Sequence, residues 1–183
     1  MKYLLACTGL LVAAATLLAQ QAPPAPPKSP AATESAKIAG KAIVITYSSP
    51  RVNGRAGAIF TKDGLIGKNP NYPIWRAGAD AATKLHTDAN LTVGKIKVPN
   101  GDYSLFVDIA DPDNWVLIIN KQTGMSPFAY DSGQNLGRVP MNMTKPKAPI
   151  ENLKYTIKNE GAGKAKLTLE WENHIASVPL AVH

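Results

Sequence analysis

His86 and Asp88 stand two residues apart in "KLHTD", a spacing that puts an imidazole and a carboxylate on one face of an extended chain. Such a pair can touch one metal ion, or the histidine can act as a general base near neutral pH. A catalytic zinc needs three protein ligands, and no His-Glu-x-x-His pair supplies the rest. The plainer reading is a solvent-facing strand end. Asp108, Asp111 and Asp113 crowd "DIADPDN", where three carboxylates can hold calcium. That loop lacks the glycine and distal glutamate of an EF-type site, and Asp111 and Asn114 are ordinary turn residues. Glu170 and Glu172 flank Trp171. Neighbours on one strand point the same way and cannot face each other across a glycoside, so both are read as a solvated outer face.

A richer constellation lies in "YPIWRAGADAATKLHTD", residues 72–88. Arg76 offers a planar fork suited to carboxylate or phosphate. Trp75 offers an apolar plate for a ring. Gly78 allows backbone shapes that other residues refuse. The same parts also make a brace, with Trp75 plugging the core and Arg76 paired to Asp80. Arg51 and Arg55, in "SPRVNGR", add two further cations nearby in sequence. No Gly-x-Ser-x-Gly elbow, P-loop or dinucleotide glycine pattern occurs, so nothing points to a nucleotide or other cofactor.

The elements that must position these residues read as β. "AIVITYS" (42–48), "TKLHT" (83–87) and "LTV" (91–93) are short and extended. "VNGR" carries Asn-Gly, a strong hairpin signal. "DYSLFVDIA" puts Tyr103, Leu105, Val107 and Ile109 on one face, and "WVLIIN" is apolar on both, as in a central strand. Lys121 to Gly137 reads as a long polar loop. "NLKYTIKN" and "AKLTLEWE" alternate, with Leu153, Tyr155, Ile157, Leu167, Leu169 and Trp171 inward. Pro179 in the last strand predicts an edge. The expectation is an all-β fold: a single antiparallel β-sandwich, or flattened barrel, of about nine or ten short strands over residues 41–183.

Ahead of it, a short basic start and the uncharged apolar run Leu4 to Leu18 have the pattern of a secretory signal peptide over residues 1–19. Cleavage after Ala19 is favoured over cleavage after Ala15. A lipid-attachment box ending at Cys7 is the weaker reading, because it leaves most of the apolar run downstream. Residues 20–40, with Pro23, Pro24, Pro26, Pro27 and Pro30, read as a disordered linker. Removing the leader removes the single cysteine, and with it any disulfide or thiolate chemistry. It also leaves no transmembrane segment. The charge is basic, 20 Lys+Arg against 13 Asp+Glu, but scattered, which argues against nucleic acid and fits a mild attraction to acidic surfaces.

Taken together, "YSSPRVNGR", "IWRAGADAATKL", "LTVGKIKVPNGDYSLF", "WVLIINK" and "LTLEWE" occur in an order that resembles the domain-of-unknown-function-2911 family of exported bacterial proteins, over nearly all of residues 41–180. The resemblance implies an exported all-β domain of the envelope or periplasm, and no established activity. It carries over Ser48, Pro50, Arg51, Gly54 and Arg55 from the first motif, and Trp75, Arg76, Gly78, Ala79 and Thr83 from the second. Relatives carry Thr-Gly-Ala-Asn-Glu-Ala-Thr where this chain has "AGADAAT". Relatives also carry Trp-Gly-Ala-Tyr where this chain keeps only Ala129-Tyr130. Both departures weaken an enzymatic reading.

The expectation is therefore an exported, periplasmic or extracellular binding or interaction module, engaging an anionic small molecule or envelope glycan. Its candidate residues are Arg51, Arg55, Trp75, Arg76, Asp80, Thr83 and His86, with no metal, no cofactor and no catalytic residue assigned. The rivals are a hydrolase of an envelope substrate with His86 as general base, and a structural subunit of an envelope assembly.

Overall fold

The structure is a computed structural model that describes residues 28–124 and 128–183. The expected signal peptide and the proline-rich part of the expected linker lie outside these residues. Among the described residues thirteen strands follow in chain order: β1 Ala31–Ile38, β2 Lys41–Ser48, β3 Ile74–Trp75, β4 Thr83–Thr87, β5 Leu91–Val93, β6 Ile96–Val98, β7 Gly101–Asp108, β8 Val116–Asn120, β9 Asn135–Pro140, β10 Asn142–Thr144, β11 Ile150–Gly161, β12 Lys164–Glu172 and β13 His174–Val182. One sheet runs β1-β2-β4-β7-β8-β9, with β3 also paired to β7; the other runs β11-β12-β13-β5-β6, with β10 also paired to β13. Every pairing is antiparallel. The two sheets pack face to face as a sandwich and do not close into a barrel.

Alternation in sequence becomes the core between the layers. Tyr103, Leu105, Val107 and Ile109 face Leu153, Tyr155, Ile157, Leu167, Leu169 and Trp171 in one continuous apolar cluster. The opposite face of β7 and β8 is buried as well, because Phe106 and Ile118 lie under Ala82, Ile74 and Tyr130. Strand β8 is thus covered on both sides, as its composition requires, although it lies next to the edge strand β9 rather than at the centre of the sheet.

The linker boundary, the Asn-Gly hairpin and the loop after β8 differ from the sequence reading. The linker does not extend to Gly40: β1 pairs with β2 over its whole length, from Ala31↔Ser48 to Ile38↔Lys41. "ATESAKI" lacks the β-branched density of a core strand, yet on an edge its alternate residues need only half-burial. Asn53-Gly54 does make a tight turn, both at positive φ (48° and 72°) and closed by Arg55 N donating to Val52 O at 3.1 Å. No hairpin partner follows it, and the chain runs on through turns to β3. The loop after β8 is shorter than expected, since β9 begins at Asn135.

Pro179 is not on an edge either. Strand β12 lines one side of β13; on the other, β10 pairs with Ile175–Ser177 and β5 with Leu180–Val182. Pro179 falls in the gap between those two partners, where its carbonyl accepts from Gly94 N and no donor is needed. Among the described residues no helix is long and apolar enough to cross a membrane.

Candidate functional site

The site arises from an interruption in the first sheet. Strand β4 pairs with β7 from Gly101 to Leu105, and β3 takes over at Val107 and Asp108. The chain between them, Arg76 to Ala82, leaves the sheet and returns. Two of its residues sit at positive φ, Ala77 and Asp80, both at 57°. Such a path needs fixing, and the inner side of the loop supplies it. The Trp75 indole N–H donates to Gly78 O at 3.0 Å. Ala77 O accepts from both Thr83 Oγ1, at 2.9 Å, and Tyr155 Oη, at 2.7 Å. Ala79 N donates to Ser48 O and Thr83 N to Arg76 O. Gly78 is required here because a Cβ would lie 2.9 Å from Thr83 Oγ1 and 3.3 Å from Ser48 O. Burial pushes the Tyr155 phenol far above its ordinary range, so its hydroxyl is a fixed donor.

The outer side of the same loop forms one wall of an open cleft of about 560 Å³. Arg51, Arg55, Trp75, Arg76 and Asp80 all line it. Thr83 and His86 do not. Thr83 is buried and acts on the brace, and His86 lies elsewhere on the sheet. The cleft also takes in Lys28, Leu65, Ile66 and Trp171, none of which the sequence reading assigned to it. Leu65-Ile66 had a signal: an apolar pair in a stretch otherwise made of glycine, lysine, aspartate and asparagine. Trp171 was correctly read as inward, but only the topology puts it beneath this loop.

Each arginine is held differently. Arg55 folds back on its own turn, with Nε donating to Val52 O at 2.9 Å and Nη2 to Arg51 O at 2.7 Å. Arg51 is exposed, and its backbone is bridged to Asn152 on β11. Two carboxylates anchor this segment from the other sheet: Glu151 accepts from Asn53 N at 2.9 Å, and Glu172 accepts from Gly57 N. Arg76 is half-buried, and its Nε has no hydrogen-bond partner. Burial lowers its pKa, and the charge of Asp80 acts in the opposite direction. The guanidinium remains protonated under any ordinary condition. The expected Arg76–Asp80 pairing is therefore an attraction through space, and no direct ion pair forms between them.

Beneath the cleft lies an aromatic cluster. Trp75 stacks on Trp171 at 5.9 Å, and Phe60 contacts Trp75, Trp115 and Trp171 at 4.8–5.5 Å. Trp75 and Trp171 are 2% and 1% exposed, so neither offers an open face on which a sugar ring can lie. His174 stacks flat on Trp115 at 4.7 Å, with Nδ1 3.5 Å from Glu172. Burial lowers the His174 pKa, while Glu172 opposes that shift. The sequence reading put Glu172 on a solvated face, but it is 3% exposed. The turn after β12 holds Glu172 at φ 54°, which breaks the alternation and swings its carboxylate inward to Gly57.

A family model of proteins of unknown function (DUF2911) matches residues 29–180. The chain belongs to the DUF2911 family. No curated protein and no solved structure matches it. The matched region begins beside the cleft residue Lys28, just before β1, and spans both sheets and the arginine cleft. The DUF2911 domain thus includes the edge strand that the sequence reading left in the linker.

The other candidate centres are engaged in structure. His86 Nδ1 contacts Asp102 at 2.8 Å and Nε2 contacts Asp88 at 3.1 Å, so the two carboxylates sit on opposite ring nitrogens and cannot share one ion with the imidazole. Asp108 accepts from Ala110 N and pairs with Arg138. Asp111 accepts from Asp113 N and from the Asn114 side-chain amide. Among the described residues no group of three His, Cys, Asp or Glu side chains is placed to hold a metal.

Proposed function

We propose that this protein is an exported, non-catalytic binding module of the cell envelope whose arginine cleft takes an anionic ligand. The observation that carries the reading is the charge imbalance of the cleft. Lys28, Arg51, Arg55 and Arg76 line it with a single carboxylate, Asp80. Arg76 is partly stripped of water and keeps Nε unpartnered. A half-buried cation with an unused donor gains most from an anion that completes its hydrogen bonds. The covered indoles favour a small anion over a stacked glycan. A hydrolase built on His86 finds less support, because that side chain is exposed, both ring nitrogens are engaged by carboxylates, and it does not line this cleft. A structural subunit wants a broad apolar patch. Among the described residues only Leu65 and Phe128 are large, apolar and exposed.

The test is a thermal-shift and calorimetric screen of phosphate, citrate and uronic acids on wild type and Arg76→Ala. Wild type should be stabilised in proportion to ligand concentration, by about 2.7 kcal/mol at a hundred times Kd. Arg76→Ala should respond at least tenfold more weakly, with little change in its own melting temperature. A wild type that no anion shifts, beside an Arg76→Ala that melts several degrees lower, would establish the loop as a brace alone.

A further inference from the structure

Leu65 and Phe128 are the two large apolar side chains exposed among the described residues, at 44% and 55%. Leu65 lines the arginine cleft directly. Its position is fixed, since Leu65 N donates to Ala58 O at 3.0 Å and Ile66 N to Ile59 O at 2.9 Å, with the Ile66 side chain buried below. Phe128 is placed against Arg76. The Arg76 guanidinium carbon lies 5.6 Å from its ring centroid, and Asn71 Nδ2 donates to Phe128 O at 2.9 Å. A lone exposed apolar residue needs no explanation. Leu65 on the lining of the cleft with excess cations, and Phe128 against the Arg76 guanidinium that also lines it, form a chemical pattern: a charged base with an apolar rim.

We propose that the ligand is a small anionic amphiphile, a carboxylate or phosphate head on an acyl or aryl body. This rests on the anion-binding reading above. The head completes the donors of Arg76, with Arg51 and Arg55 adding charge. The body lies along Leu65 and Phe128 and removes them from water. The buried floor of Ile66, Trp75 and Trp171 contributes shape and little fresh apolar area, so affinity beyond the head group comes from the rim.

Matched probes separate the two contributions: acetate against octanoate, and inorganic phosphate against phenyl phosphate, titrated calorimetrically below any micellar concentration. In wild type octanoate should bind more tightly than acetate, by up to about fourfold for each methylene that leaves water. Leu65→Ser and Phe128→Ser, made singly and together at these exposed positions, should shrink that gain by a larger factor than they change inorganic phosphate binding. If octanoate and acetate bind equally and both compete with phosphate, the cleft binds anions but the amphiphile proposal is wrong. If the gain persists in the double variant, the rim is not the apolar contact and the proposal is also wrong. If none of the four probes binds, the anion reading itself fails.

Discussion

Two charged clusters occupy the first sheet, built on opposite plans. On β4 and β7, His86 is held between Asp88 and Asp102, a carboxylate at each ring nitrogen, and all three groups are exposed. Around the β3–β4 connection, four cations share a cleft with one acid, and the central one is half-buried with an unused donor. The first cluster is internally complete and offers a ligand nothing it does not already have. The second is incomplete. Its cations are kept apart from neutralising acids by a backbone that is itself tightly hydrogen-bonded. On the proposed binding reading, charge marks a site where the fold withholds the partner, and structure where the fold supplies it.

The strongest way to break this contrast is to remove what lies under the incomplete cluster. Trp75 joins brace to core: its ring is stacked on Trp171 and its N–H fixes Gly78. Trp75→Ala should cost about 3–5 kcal/mol, lowering the melting temperature by roughly 10 °C and abolishing anion binding with it. A loss below about 1 kcal/mol in calorimetric unfolding would mean that the cleft is not built on the aromatic cluster.

Glu172 is the next test, since it ties the arginine-bearing segment to the second sheet. Glu172→Ala leaves Gly57 N without its acceptor and should cost about 1–3 kcal/mol, while Glu172→Gln, which keeps an acceptor, should cost less. The neighbouring His174 adds a pH dependence. Its folded pKa lies below the ordinary 6.5, so its contribution to stability is present above that value and is lost as pH falls through the lowered one. Wild-type melting temperature should therefore drop between pH 7 and pH 5, and His174→Phe should flatten that part of the curve. An unchanged slope in His174→Phe would remove His174 as the cause.

The residues behind these tests were unequally legible. Alternation placed Leu153, Tyr155, Ile157, Leu167, Leu169 and Trp171 correctly, because a period of two is a local property with one buried face. Arg51, Arg55, Trp75, Arg76 and Asp80 were grouped from their types and their shared motifs, and they do line one cleft. Thr83 was placed among them, but its hydroxyl is spent on Ala77. Glu172 was misread because one residue at positive φ reverses a face assignment, and nothing in "LEWEN" announces it. Strand β1 was missed because an edge strand carries little hydrophobic signal. Leu65 joins the cleft that Arg76 lines only through the topology of a loop, which no periodicity encodes.

A milder change sharpens the comparison by making the incomplete cluster less complete still. Asp80 is the one acid lining the cleft and acts on Arg76 through space. Asp80→Asn removes that charge and keeps a residue that tolerates positive φ. Phosphate should bind about twofold to fivefold more tightly at low salt, with the gain fading as ionic strength rises. Weaker binding would mean that Asp80 orients Arg76, and that charge imbalance alone does not set affinity.

The smallest effect belongs to the complete cluster, and its sign is fixed. Hydrogen bonds that the His86 ring donates to Asp102 and then to Asp88 raise its pKa above 6.5. A histidine whose pKa is raised on folding stabilises the fold fully below its unfolded value, and that contribution is lost as pH rises through the folded one. Wild type should then exceed His86→Ala in melting temperature at pH 5.5 and match it near pH 9. Both partners are exposed, so screening limits the difference to roughly a degree or two, and added salt should erase most of it. Anion binding at the cleft should be the same in both proteins at every pH, because His86 takes no part in it. Loss of binding in His86→Ala would join the two clusters into one site and end the contrast on which the binding assignment depends.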